Sequence, residues 1–306
     1  MAKRKHHYHP LAVKPHTNVI LSILVGLFAL FCFLPILLIY IGSFTAEKAI
    51  KINGFSFFPA KWSVSAYQYL FKDGGQILQS YWVSISLTVF GTVLSLLIMT
   101  LYAYAISRKD FALRRQLTFF AYFTMLFNGG MVAAYIVNTT VFGLRDSYWV
   151  LLIPTLCSAY NIIVLRTFFT SLGTESLVEA AKIDGASELR IYARIILPIS
   201  KPALATIGLF TAIAYFSKWF EVMLYIENNK LYTIQYLLQR VMKNLEYLRS
   251  NPEFAMSEGG VELLENLPGE SMRMALTVLA MTPVLAFYPF FQKYFVKGLT
   301  LGSVKG

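Results

Sequence analysis

Few residues in this 306-residue chain have types and spacing that could do chemistry. His6, His7 and His9 could chelate a metal, but they lie in a basic N-terminal tail, and we assign no metal site and no catalytic residue. No G-x-x-x-x-G-K-[ST] phosphate loop occurs, so the chain does not bind ATP by that route. The apolar runs carry no series of Asp and Glu of the kind that relays protons. What remains is a polar, helix-prone stretch between two long apolar runs, Glu179 to Pro198, reading EAAKIDGASELRIYARIILP. Its chemistry is that of docking, and any energy used must come from a partner.

The elements that must position this stretch follow from composition. Hydrophobic residues make up 57% and charged ones 14%, more apolar surface than a soluble domain of this size can hide. A hydrocarbon core of roughly 30 Å needs about 20 apolar residues as helix. Six runs meet that length: 19–41, 82–107, 117–135, 148–168, 203–226 and 274–291. The first is read as an uncleaved span: it is too long for a signal-peptide core, and no convincing A-x-A site follows. Cys32 and Cys157 both fall inside runs, which makes a structural disulfide improbable. The net charge of +11 is scattered over loops, which argues against nucleic acid. Alternate loops on one side carry four, four, four and three Lys plus Arg, against four, one and five in the longer loops opposite. By the positive-inside rule both termini and the 179–198 stretch are expected in the cytoplasm.

Within the stretch, Ser176 and Glu179 are spaced as a capping box. Ala180 and Ala181 leave a smooth surface, and Gly185 allows a chain break. Ile191, Ile195 and Ile196 can form the apolar side of a second helix, and Pro198 with Pro202 marks the return to the bilayer. The pattern E-A-A, three residues, Gly, nine residues, Ile, one residue, Leu-Pro resembles the coupling motif of ABC importer permeases. Glu179, Ala180, Ala181, Gly185, Ile195, Leu197 and Pro198 fill every fixed position, with Asp184 beside the glycine. The resemblance implies that these residues seat in a cleft of an ATP-hydrolysing subunit, with Glu179 and Gly185 at the contact.

The resemblance extends to the carbohydrate-uptake branch of these permeases. Phe127, Asn128, Gly129, Gly130, Met131 and Tyr135 look like that branch's F-x-G-G-hydrophobic-x-x-x-Y segment. The ending YPFFQKYFVKGLTLGSVKG, 288–306, looks like that of complex-oligosaccharide permeases of the Lpl/Ytc type. Asn128, Gly129, Gly130, Tyr135, Tyr160, Asn161, Lys218 and Trp219 are the candidate substrate-path residues. Each has a plainer reading: the glycines as a packing or kink site, the aromatics as packing or interface residues. Where the family shows W-N-D-W-F or something close, this chain has FSKWF at 216–220, with Lys218 roughly 22 Å along a helix from Ala203. Such a cation pairs with Glu221 and snorkels, or else faces an acidic sugar such as a uronate-containing glycan. Ile234, Leu237, Leu238, Val241, Met242, Leu245 and Leu248 are spaced as an amphipathic helix ended by Asn251-Pro252. An acidic segment with Glu253, Glu258, Glu262, Glu265 and Glu270 follows.

The expected fold is therefore an all-α polytopic membrane protein of six transmembrane helices, with the MetI-like importer permease architecture and a cytoplasmic coupling helix. The expected organisation is a cytoplasmic tail 1–18, a permease domain 19–296 with coupling loop 171–201 and external loop 227–271, and a cytoplasmic tail 297–306. The resemblance implies a multi-pass subunit of the bacterial inner membrane for an oligosaccharide. Its partners would be a homologous second permease, an ABC ATPase dimer holding ATP and Mg, an extracytoplasmic solute-binding protein and membrane lipid, with no cofactor on this chain. The rival readings are an importer of a non-sugar solute and a membrane-embedded glycan-processing enzyme. The latter would need a cluster of acids or histidines at one membrane face.

Overall fold

The computed structural model describes residues 15–72, 74–173, 175–250 and 269–302. The His6–His9 cluster, the Asn251-Pro252 stop and Glu253 to Glu265 lie outside them. Among the described residues the regular elements are helices, with one isolated antiparallel bridge between Thr45 and Trp62. Three helices are long and apolar enough to cross a bilayer unaided: α1 (Pro15–Ser43), α4 (Gly74–Ser107) and the part Glu270–Pro289 of α15 (Glu270–Gly302). Three bent pairs of helices reach that length and hydropathy only when taken together. In the first, α5 (Arg114–Leu126) meets α6 (Gly130–Ile136), which runs on through a π-helical turn to Val141, at 115°. In the second, α7 (Tyr148–Leu152), extended by a 3₁₀ turn to Thr155, meets α8 (Ala159–Ser171) at 42°. In the third, the segment Glu188–Ile199 meets α12 (Lys201–Phe216) at 82°.

Two of these bends and one further break correct three of the expected runs, which hydropathy reads as continuous. The run 117–135 is interrupted at 127–129. There Gly130 adopts φ +80° and donates its N–H to Asn128 Oδ1 at 2.8 Å, a local bond that replaces the helical one. The run 148–168 breaks before Ser158, whose side chain caps α8 by accepting the Asn161 N–H. The run 203–226 is interrupted at Ser217 and Lys218 before α13 (Trp219–Tyr225) begins. Hydropathy averages over such breaks because the residues flanking them are as apolar as the helices.

The chain divides into two compact units, the described residues within 1–69 and 265–278 and those within 70–264 and 279–306. In the first unit α1 buries only Gly42 and Ser43, and α2 (Glu47–Asn53) presents Glu47 to the start of α15. The carboxylate accepts the N–H groups of Glu270 and Ser271 at 3.0 and 2.9 Å and the Ser271 hydroxyl at 2.9 Å, a side-chain cap brought from 223 residues away. Burial pushes the Glu47 carboxyl up, but these donors more than offset it and hold it below its usual range. In α3 (Ser65–Lys72), Tyr67 donates to Ser43 Oγ at 2.9 Å.

In the second unit α4 is the spine. Ser84, Leu87, Gly91, Ser95, Met99 and Ala103 form its buried face, small residues alternating with large so that neighbouring backbones approach closely. Tyr215 of α12 lies flat against Gly91, fully buried, donating to the Leu152 carbonyl at 3.0 Å with its oxygen 3.1 Å from Ser95 Oγ. α14 (Ile234–Ser250) is the expected amphipathic helix, burying Ile234 and Leu238 and half-burying Leu237, Val241 and Met242. Ser84 Oγ accepts the Ile234 N–H at 2.8 Å and so fixes its start.

A Cβ on Gly91 would fall 2.6 Å from Tyr215 ring carbons. Gly91→Ala should therefore destabilise the protein by roughly 1–3 kcal/mol through overpacking. Thermal unfolding in detergent should show a lowered Tm for it, whereas Ala substituted at exposed Gly75, which faces open space, should leave Tm unchanged.

Candidate functional site

The 179–198 stretch folds as a helix pair. α9 (Glu175–Ile183) already includes Ser176 in its first turn, so the expected Ser176 to Glu179 capping box does not start this helix. Its end is built on Gly185, which takes φ +78°. The Ala186 N–H bonds the Ala181 carbonyl at 2.9 Å and the Gly185 N–H bonds the Lys182 carbonyl at 3.0 Å, a Schellman closure that a left-handed residue makes possible. The chain then re-enters helix as α10 (Glu188–Ile191), widens into a π-helical turn at Tyr192–Ile196 and closes with α11 (Leu197–Ile199).

Packing separates this pair into an anchored and an outward face. Val178, Ile191, Tyr192 and Ile196 are buried in a cluster with Met99, Ala103 and Ile106 of α4 and Leu165 and Phe169 of α8, with Ala181, Ile195 and Leu197 packed at its edge. Glu179, Ala180, Asp184, Gly185 and Pro198 are exposed. Beside them, and unassigned from the sequence, Leu177, Ile183 and Leu189 are 47%, 87% and 68% exposed. These three large apolar side chains stand exposed around a glycine turn as a knob, the kind of surface that marks an interaction site.

Polar contacts tie the knob to α4. Thr100 Oγ1 is 2.7 Å from the Tyr192 hydroxyl in the interior, and Tyr104 donates to Glu188 Oε2 at 2.6 Å. Lys182 Nζ bridges Glu188 Oε1 at 2.7 Å and Asp110 Oδ2 at 2.6 Å, and Asp110 lies 3.4 Å from Arg108 Nε. Glu179 borders the same region, on the wall of a cavity of about 210 Å³ that Tyr104, Asp110 and Lys182 also line. The hydrogen bond from Lys182 holds the Asp110 carboxyl below its usual range. Burial pushes Glu188 up, but Lys182 and Tyr104 outweigh it and leave the carboxyl lowered. Asp110 and then Glu188 push the Lys182 ammonium up. Depressed carboxylates lose their contribution only as pH falls through their folded values, and a raised lysine only as pH rises through its own. The tether thus persists from about pH 5 to about pH 10.

The substrate-path candidates do not form one site. Asn128, Gly129 and Gly130 make the exposed turn between α5 and α6. Tyr135 stacks on Tyr225 with ring centroids 5.6 Å apart. Tyr160 is exposed at the start of α8, where Asn161 supplies the N–H that Ser158 caps. Lys218 is 2% exposed, donates to Thr155 Oγ1 at 2.5 Å, lies 3.2 Å from Glu221 Oε1 and sits 5.5 Å from the Tyr215 ring centroid. The pairing with Glu221 is present, and the ammonium is enclosed by its partners rather than facing a wet cavity. Trp219, the next residue, is half-buried at the start of α13.

Three apolar helices long enough to cross a bilayer, three bent pairs that reach that length together and an exposed helix pair anchored to the spine define an all-helical membrane protein. The chain belongs to the family of binding-protein-dependent transport system inner membrane components, whose model matches residues 102–301. It is 40% identical to the polygalacturonan/rhamnogalacturonan transport system permease protein YtcP of Bacillus subtilis over 92% of this chain and 95% of the relative. It is also 30% identical to the maltodextrin transport system permease protein MdxG of the same organism, over 89% and 93%. A crystal structure of a bacterial ABC transporter involved in the import of the acidic polysaccharide alginate contains a chain of the same fold. That chain matches with TM-score 0.78 and 34% identity, over 94% of this chain and 100% of it. The MetI-like importer permease fold is thereby the fold of this protein, a non-catalytic inner-membrane permease component whose ATPase is a separate subunit.

Gly185→Val forces a β-branched residue into the left-handed region, at a cost of roughly 1–2 kcal/mol. Hydrogen exchange should show amides 181–191 losing protection while those of α4 keep theirs. Unchanged exchange at Ala186 would contradict the closure described here.

Proposed function

We propose that this chain is the transmembrane subunit of an ABC importer that moves an acidic, uronate-containing oligosaccharide into the cell, with both termini and the 171–201 loop in the cytoplasm. The observation that carries the coupling role is the knob. An exposed apolar surface around Gly185, pinned through Tyr192, Glu188 and Lys182 to a helix that crosses the membrane, converts a push on the loop into displacement of α4. Glu179, Ala180, Asp184 and Gly185 supply the contact with the ATPase. Ala181, Ile195, Leu197 and Pro198 hold the knob's shape and its exit into the bilayer.

Acidic carbohydrate as cargo is supported by the substrates of two of the similar proteins, polygalacturonan or rhamnogalacturonan and alginate, all polymers that carry carboxylates. ATP and Mg belong to an ATPase dimer, a homologous second permease completes the translocation wall, and an extracytoplasmic binding protein delivers the glycan. The breaks suit this cycle, because helices interrupted at Asn128–Gly130 and at Ser217–Lys218 can rock as short rigid pieces.

The test is ATP hydrolysis by the complex reconstituted in nanodiscs from this chain, its partner permease, ATPase and binding protein. Trigalacturonate should stimulate hydrolysis several-fold over a neutral trisaccharide, and Gly185→Asp should abolish the stimulation while leaving complex assembly intact. Stimulation by the neutral sugar alone would contradict the acidic reading, and stimulation that survives Gly185→Asp would contradict the coupling role.

A further inference from the structure

With Lys218 sealed behind Thr155 and Glu221, the recognition of an acidic glycan falls to other cations. Lys182 is committed to Asp110 and Glu188, Arg145 to Glu227 and Arg273 to Glu270. Arg240 and Lys243 share one cavity with an aromatic wall. Both are exposed on α14, and neither forms an ion pair among the described residues. Arg240 packs its guanidinium 5.3 Å from the Tyr232 ring centroid, and Lys243 Nζ lies 4.0 Å from Met223 Sδ.

These two cations line a cavity of about 190 Å³ between α13 and α14. Tyr236, Arg240 and Lys243 stand at i, i+4 and i+7, on one face of α14, and Trp219 from α13 forms the facing wall. Gln239 and Asn244 add amide groups at the rim. The geometry is fixed from behind. Tyr236 packs edge-on against Tyr232 with centroids 4.7 Å apart, and Thr233 Oγ1 reaches both the Lys218 carbonyl and the Tyr236 N–H at 3.4 Å. Lys218 is therefore a positioning residue. Its bonds to Thr155 and Glu221 hold the break from which Trp219 emerges.

We infer that this cavity is a subsite for one uronate residue of the glycan, built from Trp219, Tyr236, Arg240 and Lys243. The chemistry of each member fits that ligand. A pyranose ring offers a weakly polar C–H face that lies against indole and phenol rings, and its hydroxyls suit carboxamides. Its carboxylate matches the planar fork of Arg240, with Lys243 as a second point charge. The volume suits a single sugar unit rather than a chain. This inference rests on the acidic-oligosaccharide importer reading above and adds to it where the charge is read.

The test is uptake kinetics of the complete complex in proteoliposomes, with trigalacturonate and with its methyl ester, which keeps the sugar and removes the charge. Arg240→Gln with Lys243→Gln should raise KM for the acid about tenfold at unchanged maximal rate, the loss of charge-assisted bonds at an exposed site. The half-saturating concentration of binding protein should not change, and the charge-retaining pair Arg240→Lys with Lys243→Arg should recover most of the affinity. Trp219→Ala should raise KM for acid and ester alike. A wild-type KM for the acid in the double Gln variant overturns the subsite. So does a weakened half-saturation by binding protein, which would make the two cations a protein docking contact. If the wild-type complex takes up neither acid nor ester, the importer reading itself fails, and that result is separate from anything the variants show.

Discussion

A backbone group left without a partner in hydrocarbon costs several kcal/mol, and this constraint organises the molecule. Any break in a crossing helix must satisfy its own amides and carbonyls from within the protein. Asn128 does so for Gly130, and Ser158 does so for Asn161. At the start of α14, Ser84 takes the Ile234 N–H, and at the start of α15, Glu47 takes those of Glu270 and Ser271. Polar side chains are thus placed where helices start or break. Those same points are where pieces of the permease can move relative to one another.

Lys218 shows the constraint at its strictest. A buried ammonium without partners would be prohibitive, so it is bonded to Thr155 and Glu221 and faces the Tyr215 ring. That arrangement joins the break in the α7–α8 crossing to the break between α12 and α13. A residue singled out as a possible sugar ligand acts as a brace between two discontinuous crossings. The exposed charge it leaves unsupplied is found on α14 instead.

Much of this was legible in the sequence, and the parts that were not share a cause. Periodicity found α14, hydropathy found the crossings, and the E-A-A to Leu-Pro spacing found the loop and its glycine, because each signal lies within one local stretch. A kink at Gly129 and Gly130 was one reading of the sequence, but its size, 115°, was not legible because the flanking residues are as apolar as any span. The tether of the loop to α4 was hidden because Tyr104 and Glu188 are 84 residues apart and only the folded chain brings them together. Arg240 and Lys243 read as the solvated side of an amphipathic helix. Their meaning depends on Trp219 standing opposite, which no helical repeat encodes.

The account stands or falls on whether the knob around Gly185 is the contact through which ATP drives the spans. The most direct measurement is disulfide cross-linking of Ile183→Cys, in a background with Cys32 and Cys157 replaced, to single cysteines in the ATPase cleft of the assembled complex. The account predicts a cross-link to the ATPase that forms in the resting complex and changes in yield when ATP binds. A complex that assembles and transports with no cross-link from position 183, or with one indifferent to ATP, would contradict it.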